Sequence, residues 1–470
     1  MKKITLLTII TSTILNLSAQ QVNWTCSTST ENWKVTTISL TNANSKTKDV
    51  TVVIYPEQKL QKMDGFGGCF NELGWDALQA IAPSVRSKIM QELFSNDGAN
   101  FSICRMPIGS SDYAMSYYSL DDVADDFSML NFNIDRDRYI LIPYIKMAQQ
   151  VHPDLNLWAS PWCPPYWMKT NNHYASKDED QGQKNDLSSQ RITVPNATAF
   201  RMQEGYLKSY ALYFSKFLKA YGTEGISISA IHVQNEPLAQ QSFPSCIWRA
   251  EDLCIFIGQY LGPQLAKTNP NVEIWYGTIN NGDPDYIRKA LNDTEAAKYI
   301  KGVGFQWDGK NAIPFISKEY PAVKMMQTES ECGDGSNDWK AAEHTWSLMN
   351  HYISNGANSY MYWNMVLDQS GSSRWGWVQN ALISINKQTK QVVYNPEFYL
   401  MKQLSHYVKP GANRLKTNHS KDQLAFVNPD GGIVLLYTNA ENTDKTLKVL
   451  VGKKTFSTSI KAHSFNTFCF

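Results

Sequence analysis

Between residues 65 and 404, short apolar runs alternate with longer segments of helical hydrophobic period. The predicted strands cover residues 65–68, 101–106, 157–161, 228–235, 272–276, 302–306, 324–328 and 360–364. The predicted helices between them include residues 84–93, 138–150, 203–220, 250–261, 284–290 and 340–354. Eight buried strands that alternate with helices predict an α/β chain folded as a closed (β/α)8 TIM barrel. A doubly wound open sheet is the alternative, but the first turn (GFGG, 65–68) lacks the spacing of a phosphate-binding GxGxxG.

The chain on either side of this region has a different pattern. Short strands are predicted at residues 424–427, 433–437, 446–451 and 465–470, with a turn at 428–432 between the first two. They indicate an appended β-sandwich domain, and an early strand at 50–55 could pair into it. The predicted organisation is a signal peptide at 1–19, an N-terminal segment contributing to the sandwich at 20–62, a catalytic barrel at 63–404 and the C-terminal sandwich at 405–470.

The N-terminus reads as a targeting segment. Lys2 and Lys3 precede a short apolar run at 4–15, and Ser18-Ala19 offers small residues for cleavage before Gln20. This pattern is typical of a secretory signal peptide and is too short to span a membrane. Because no later apolar run reaches about 18 residues, we expect a mature chain without a transmembrane segment, either secreted or periplasmic.

Charge and cysteine usage argue against several classes of partner. The formal net charge is +1 and no basic cluster stands out, so no nucleic-acid partner is expected. The eight cysteines contain no CxxC pair, which argues against a zinc ribbon, although one or two disulfides stay open. His344 and His351 are expected to be packed or surface residues, and HExxH is absent. No metal or cofactor is predicted.

Two glutamates end strands of the predicted barrel, at the edge where barrel enzymes place their active sites. Glu236 follows the fourth strand, and Pro237 prevents that strand from continuing. Glu329 ends the seventh strand at an equivalent position. A lone Glu after an apolar run is more often a surface or helix-terminal residue, but a pair at two strand ends favours catalysis. A retaining glycosidase needs such a pair, about 5–5.5 Å apart, as acid and nucleophile.

Several short motifs resemble glycoside hydrolase family 30 in order and spacing. They are GFGG (65–68), ICRMP (103–107), ASPW (159–162), QNEP (234–237) and Thr328-Glu329. The longer block ASPWCPPYWMKT (159–170) is specific to this family, and the resemblance runs from about residue 60 to the C-terminus. The family includes glucosylceramidases and β-1,6-glucanases. The resemblance implies a barrel, a sandwich built from both chain ends, and retention at the anomeric centre, with Glu236 as acid/base and Glu329 as nucleophile.

The resemblance also implies roles for polar residues around this pair. Asn235 is expected to hydrogen-bond the sugar 2-hydroxyl. Arg105 ends the second strand, and a buried Arg beside the nucleophile would keep Glu329 ionised; the alternative is a salt bridge to a structural acid. Glu72 falls where the family has an aspartate that holds sugar hydroxyls.

Aromatic residues complete the expected sugar site. The chain has 14 Trp and 24 Tyr, and flat rings suit the C–H faces of sugars. Trp162 and Trp363 end the third and eighth strands and are expected to wall the site. By resemblance, the remaining loop contacts are Trp307, Trp377 and Asn380.

Three features depart from the family pattern or leave alternatives. Asp308 stands where glucosylceramidases carry a Tyr, so it could bind a sugar hydroxyl or point away. Glu331 is close enough to Glu329 to be mistaken for the nucleophile, but the strand register favours Glu329. The long polar stretch at 171–196 either shapes subsites or is a solvated insertion.

The sequence therefore predicts a retaining β-glycosidase without a cofactor, acting as a monomer on a β-glucan or β-glucoside. An endo-β-1,6-glucanase is the first choice, and a glucosylceramidase-like enzyme is the alternative. A non-catalytic carbohydrate-binding protein is disfavoured because both carboxylates and Asn235 are present. A metal-dependent hydrolase is disfavoured because the strand ends carry Asn, Glu and Trp, while His232 lies inside a strand and is expected to be core.

Overall fold

A computed structural model describes residues 21–43, 49–180, 183–419 and 421–470, so the predicted signal peptide lies outside the described residues. Four strands precede the barrel: β1 (Gln21–Thr28), β2 (Lys34–Ser39), β3 (Thr41–Asn42) and β4 (Val52–Lys62). Within these ranges, no helix is long and apolar enough to cross a bilayer.

The predicted (β/α)8 barrel is confirmed. The strands of this region are, in chain order, β5 (Gly65–Cys69), β6 (Ile103–Pro107), β7 (Asn156–Ser160), β8 (Glu179–Asp180), β9 (Gln183–Lys184), β10 (Ala230–His232), β11 (Glu273–Ile279), β12 (Ile300–Gln306), β13 (Lys324–Glu329) and β14 (Ser359–Asn364). Of these, β8 and β9 form a small hairpin inserted after β7, and the other eight form the barrel. The eight barrel strands pair in parallel and close on themselves. Their carboxyl ends therefore meet at one mouth.

The helices surround this barrel. They are α1 (Glu72–Gln79), α2 (Pro83–Phe94), α3 (Asp135–Tyr139), α4 (Leu141–Val151), α5 (Glu204–Thr223), α6 (Ala250–Ile255), α7 (Gly262–Thr268), α8 (Asp285–Asn292), α9 (Ile313–Glu319), α10 (Trp339–Ser354) and α11 (Pro396–Ser405). A π-helical turn, Phe256–Leu261, joins α6 to α7. There the backbone packs against Tyr299 so closely that a Cβ on Gly262 would lie 2.3 Å from the ring.

The second domain uses both ends of the chain. After a small sheet of β15 (Val366–Asp368), β16 (Ile383–Ile385) and β17 (Val392–Tyr394), the C-terminal strands are β18 (Asn413–Thr417), β19 (Gln423–Val427), β20 (Ile433–Asn439), β21 (Lys445–Val451), β22 (Lys454–Ile460) and β23 (Ser464–Cys469). They form a ten-stranded sheet with the N-terminal strands: β1 pairs with β23, and β4 lies between β18 and β21. This sheet makes the predicted β-sandwich, with its own apolar core.

The fourth barrel strand is shorter than predicted. It ends at His232, although Gln234 and Glu236 still donate backbone hydrogen bonds to Gly277 and Thr278 of β11 (3.2 and 3.0 Å). Glu236 then adopts a left-handed backbone with φ of 48°, directly before Pro237. This conformation is uncommon for a side-chain-bearing residue and is often found at functional sites.

The cysteines do not form a disulfide framework. All eight are free thiols, and seven of them are buried. The bridges left open by the sequence are therefore absent from this structure.

Candidate active site

A pocket of about 230 Å³ opens at the carboxyl ends of the barrel strands. It brings together six residues predicted from the sequence: Trp162, Asn235, Glu236, Trp307, Glu329 and Trp377. Five further lining residues were not predicted: Asp112, Gln241, Phe243, Asn280 and Gln379. The volume lies below the roughly 300–1,000 Å³ of pockets for drug-sized ligands, so the enclosed part suits a ligand about the size of one sugar ring.

Glu329 ends β13 inside this pocket and is held by three donors. Arg105 Nη1 donates to its Oε2 over 2.7 Å, Gln306 Nε2 donates to the same oxygen over 3.2 Å, and Trp307 Nε1 donates to Oε1 over 3.3 Å. Burial raises the pKa of the Glu329 carboxyl, while Arg105 and these hydrogen bonds lower it. Burial outweighs these groups, so the pKa of Glu329 lies above its usual value, and Arg105 and the hydrogen bonds limit that rise.

Glu236 is placed in a different electrostatic environment. Its Oε1 accepts one hydrogen bond from Gln306 Nε2 at 3.1 Å. Burial and the neighbouring negative charge of Glu329 raise the pKa of Glu236 to about 8. At neutral pH this carboxyl therefore holds a proton, whereas the Glu329 carboxyl is paired with the Arg105 guanidinium. That is the division of roles between a general acid and a nucleophile.

Gln306 links the two carboxyl groups and was not predicted from the sequence. A register shift between Phe305 and Gln306 at the end of β12 sets Gln306 opposite Glu329 in the sheet. Its Nε2 lies 3.1 Å from Glu236 Oε1 and 3.2 Å from Glu329 Oε2, so these two oxygens are at most 6.3 Å apart, the sum of the two distances. This bound lies below the roughly 6.5–9.5 Å that separates the carboxyl groups of inverting glycosidases.

Asn235 has its orientation set by the same network. Its Oδ1 accepts hydrogen bonds from Arg105 Nη2 (2.6 Å), Thr278 Oγ1 (3.0 Å) and Gln306 Nε2 (3.2 Å). Because the oxygen is occupied by these donors, the Nδ2 amide is the group that Asn235 can offer to a ligand in the pocket.

The aromatic residues lie in two layers. Trp162 lines the pocket and stacks on Trp363, with ring centroids 5.1 Å apart. Trp363 is fully buried and is not among the residues that line the pocket. Its indole Nε1 instead donates to Asp112 Oδ2 over 3.2 Å. Trp377 also lines the pocket and contacts Phe243 edge to face.

Asp112 is the acidic residue that the sequence analysis missed. It lies in the loop after β6, is buried, and lines the pocket. Its Oδ1 has no hydrogen-bond donor among the described residues. Burial and the charges of Glu329 and Glu236 raise the pKa of Asp112 well above its usual range. The available signal was its position, since it follows the end of a barrel strand by a few residues.

Glu72 and Asn380, two further predicted site residues, do not line the pocket. Asn71 caps α1, and Glu72 in its first turn accepts hydrogen bonds from Arg136 Nε (2.8 Å) and Nη2 (2.6 Å). Asn380 is buried, and its Nδ2 donates to Glu397 Oε1 over 2.8 Å. Both side chains are committed to structural hydrogen bonds, and neither lines the pocket.

Asp308 and Glu331 also lie outside the pocket lining. Asp308 is exposed, and its carboxylate accepts hydrogen bonds from Asn311 Nδ2 (2.6 Å) and the Gly282 amide (3.2 Å). Glu331 pairs with Lys310 and His344. Although burial opposes its ionised form, His344 and Lys310 lower the pKa of Glu331. In the described part of the chain, no group of three or more His, Cys, Asp or Glu residues could hold a metal ion.

Comparison with known families agrees with this architecture. The model of the glycosyl hydrolase family 30 TIM-barrel domain matches residues 63–408, and that of the family 30 beta sandwich domain matches residues 411–468. The lysosomal acid glucosylceramidase of Mus musculus is 27% identical over 440 residues, which cover 87% of this chain and 80% of that protein.

Two solved structures align with almost the full chain. SrfJ from Salmonella typhimurium is 25% identical with a TM-score of 0.86, covering 96% of this chain and 99% of that one. An endo-β1,6-glucanase is 26% identical with a TM-score of 0.81, covering 96% and 98%. The chain belongs to glycoside hydrolase family 30 and is a glycoside hydrolase, related to both glucosylceramidases and endo-1,6-β-glucanases.

Proposed function

We propose that the protein hydrolyses β-1,6-linked glucan with retention of configuration, with Glu236 as the acid/base and Glu329 as the nucleophile. The observation that carries this assignment is the unequal environment of two carboxyl groups bridged by Gln306. Glu329 is paired with Arg105, while the raised pKa of Glu236, about 8, keeps that carboxyl protonated. Their separation of at most 6.3 Å supports retention.

In the first step, Glu329 attacks the anomeric carbon and the bond from that carbon to the glycosidic oxygen breaks. Glu236 gives its proton to the departing oxygen, and a covalent glycosyl-enzyme forms. In the second step, Glu236 is a carboxylate and takes a proton from water as the water oxygen attacks the same carbon. The bond to Glu329 then breaks, and both residues return to their starting states.

Neutral and acidic groups around the pair would hold the sugar. The free Nδ2 amide of Asn235 suits the 2-hydroxyl, whose hydrogen bonds strengthen in the transition state. Asp112 carries an oxygen without a protein donor, which suits another sugar hydroxyl. Trp162, Trp307 and Trp377 offer apolar surfaces for the ring faces.

The choice of β-1,6-glucan rests on the likeness to an endo-β1,6-glucanase over 96% of this chain. A glucosylceramidase-like activity is the second candidate, because the mouse glucosylceramidase aligns with 87% of the chain. The leader predicted at residues 1–19 supports an exported enzyme that meets polysaccharide outside the cytoplasm.

A substrate panel tests the proposal: pustulan, laminarin, xylan, an aryl β-glucoside and glucosylceramide. We expect the enzyme to release sugar from pustulan, and the β-anomer of the product should appear first in proton NMR spectra. Release of glucose from glucosylceramide with no release from pustulan would overturn the assignment of β-1,6-glucan as substrate. An α-anomer appearing first would overturn the assignment of the two carboxyl groups. A 2-fluoro-glucoside should label Glu329, and the labelling should persist in Glu331→Gln, the matched control.

A further inference from the structure

One wall of the pocket contains polar groups that the catalytic steps above do not use. We call Gln241 and Asn280, which both line the pocket, the acid-side wall. The Gln241 side chain lies near the Glu236 carboxyl and opposes the rise in its pKa. Asn280 directly follows β11, and its Oδ1 is buried with no donor among the described residues. A buried acceptor without a donor is costly, so a ligand hydroxyl at this point would satisfy it.

The long polar stretch at 171–196 fixes this wall in place. The Ser176 amide donates to the Gln241 carbonyl over 2.8 Å, and Asn185 Nδ2 donates to the Ser242 carbonyl over 2.6 Å. These contacts support the earlier hypothesis that this stretch shapes the site rather than forming a detached insertion. It acts on the pocket through the segment that carries Gln241.

Several charged residues line a second, open groove. This groove of about 590 Å³ begins at Leu238 and Asn281, which are close chain neighbours of Glu236 and Asn280. Its other lining residues are mostly charged or polar: Arg249, Ala250, Glu251, Asp283, Asp285, Tyr286, Arg288, Lys289 and Asn292.

We propose that the acid-side wall binds the sugar residue on the leaving-group side of the scissile bond, with Gln241 and Asn280 hydrogen-bonding its hydroxyls. The proposal rests on the proposed function, because it takes Glu236 as the acid that meets the leaving oxygen. The same wall then binds an acceptor sugar in the second step. The acceptor oxygen attacks the anomeric carbon, Glu236 takes the hydroxyl proton, and the carbon–oxygen bond to Glu329 breaks.

Partitioning of the glycosyl-enzyme tests this proposal without requiring any particular glucan. With an aryl β-glucoside as donor and gentiobiose as acceptor, the ratio of transfer product to free glucose is measured for each variant. Both products arise from the same glycosyl-enzyme, so a variant that forms this intermediate more slowly does not change their ratio for that reason. We expect Gln241→Met and Asn280→Ala each to lower the ratio about 3- to 10-fold, as expected for a lost hydrogen bond. Asp308→Asn, outside the pocket, is the matched control.

The outcomes separate this proposal from the substrate assignment. An unchanged ratio in both variants would overturn the acid-side wall as a sugar site. Transfer by the wild type to hexanol but not to gentiobiose would overturn it as well, because the leaving-group side would then accept apolar groups. If pustulan is not hydrolysed but transfer to gentiobiose falls in both variants, the wall stands and the glucan assignment fails.

Discussion

Arg105 Nη1 lies 2.7 Å from Glu329 Oε2, and both side chains are almost completely shielded from solvent. The same guanidinium donates to Asn235 Oδ1 and lies 4.2 Å from the ring centroid of Trp162. Removing one partner of a buried pair costs about 3–5 kcal/mol because the other charge is left uncompensated. Arg105 therefore couples the charge of the proposed nucleophile to the positions of two residues that line the pocket.

Two substitutions at Arg105 separate the effect of its charge from the effect of its hydrogen-bond geometry. Arg105→Gln removes the charge, so the pKa of Glu329 should rise and the acidic limb of the kcat/KM profile should move to higher pH. Arg105→Lys keeps the charge but loses the planar array of donors, so we expect a fall of about 100-fold in kcat with a smaller shift of that limb. pH-rate profiles of both variants, with circular dichroism to check folding, measure this. An unchanged acidic limb in Arg105→Gln would contradict the role.

Asp112 and Glu72 make a direct comparison of a site residue with a structural one. Asp112→Asn keeps the size of the side chain but changes the acceptor in the pocket, and we expect kcat/KM to fall about 10²–10³-fold. Glu72→Gln should leave kcat/KM within about threefold but lower the melting temperature, because the partly exposed Arg136 loses a buried, charged partner. Steady-state kinetics and thermal denaturation of both variants measure this. Equal kinetic losses would return Glu72 to the site.

The barrel strands and the placement of Glu236 and Glu329 in one pocket could be predicted because their signals are local. Apolar runs mark the eight barrel strands, although the fourth ends at His232, earlier than Pro237 indicated. By contrast, nothing local distinguishes Glu72 from Asp112. Glu72 begins a helix capped by Asn71 and turns to Arg136, whereas Asp112 reaches the pocket through a loop. Only the packing of the loops decides which acid faces the sugar.

The network around Gln306 could not be predicted for a related reason. Its contact with both carboxyl groups depends on a register shift between β12 and β13, which involves residues far apart in the chain. The partners of Trp363 could not be predicted either: it lies at the end of a barrel strand as expected, but it stacks on Trp162 and donates a hydrogen bond to Asp112.

Gln306 gives a prediction on the pH profile. Its amide N–H groups stabilise the ionised form of Glu236 and of Glu329, so this contact lowers the pKa of each carboxyl. Gln306→Met keeps a similar length without the donor, so both limbs of the kcat/KM profile should move to higher pH, with kcat about 10- to 100-fold lower. Gln379→Met, which removes another pocket amide, is the matched control and should leave the limbs in place. A fall in kcat with unmoved limbs in Gln306→Met would indicate packing alone.

Glu236 should make the stability of the protein depend on pH in a particular direction. Burial and Glu329 raise the pKa of folded Glu236 from its usual 4.5 to about 8. The folded state then binds a proton that the unfolded state releases above about 4.5. The stabilisation from this proton is complete below pH 4.5 and is lost as the pH rises to about 8. Because Glu236→Gln has no proton to lose, its melting temperature should exceed that of the wild type by an amount that grows across this window.

Glu331→Gln provides a control of opposite sign. His344 and Lys310 hold the pKa of Glu331 below its usual value, so its carboxylate stabilises the fold above that value and this contribution is lost as the pH falls. Glu331→Gln should therefore be less stable than the wild type at pH 7, and the difference should shrink toward pH 4. Thermal denaturation of the three proteins at pH 4, 6 and 8 measures both trends. A gap between Glu236→Gln and the wild type that stays constant with pH would mean that Glu236 is ionised in the folded protein, which is incompatible with its role as the acid.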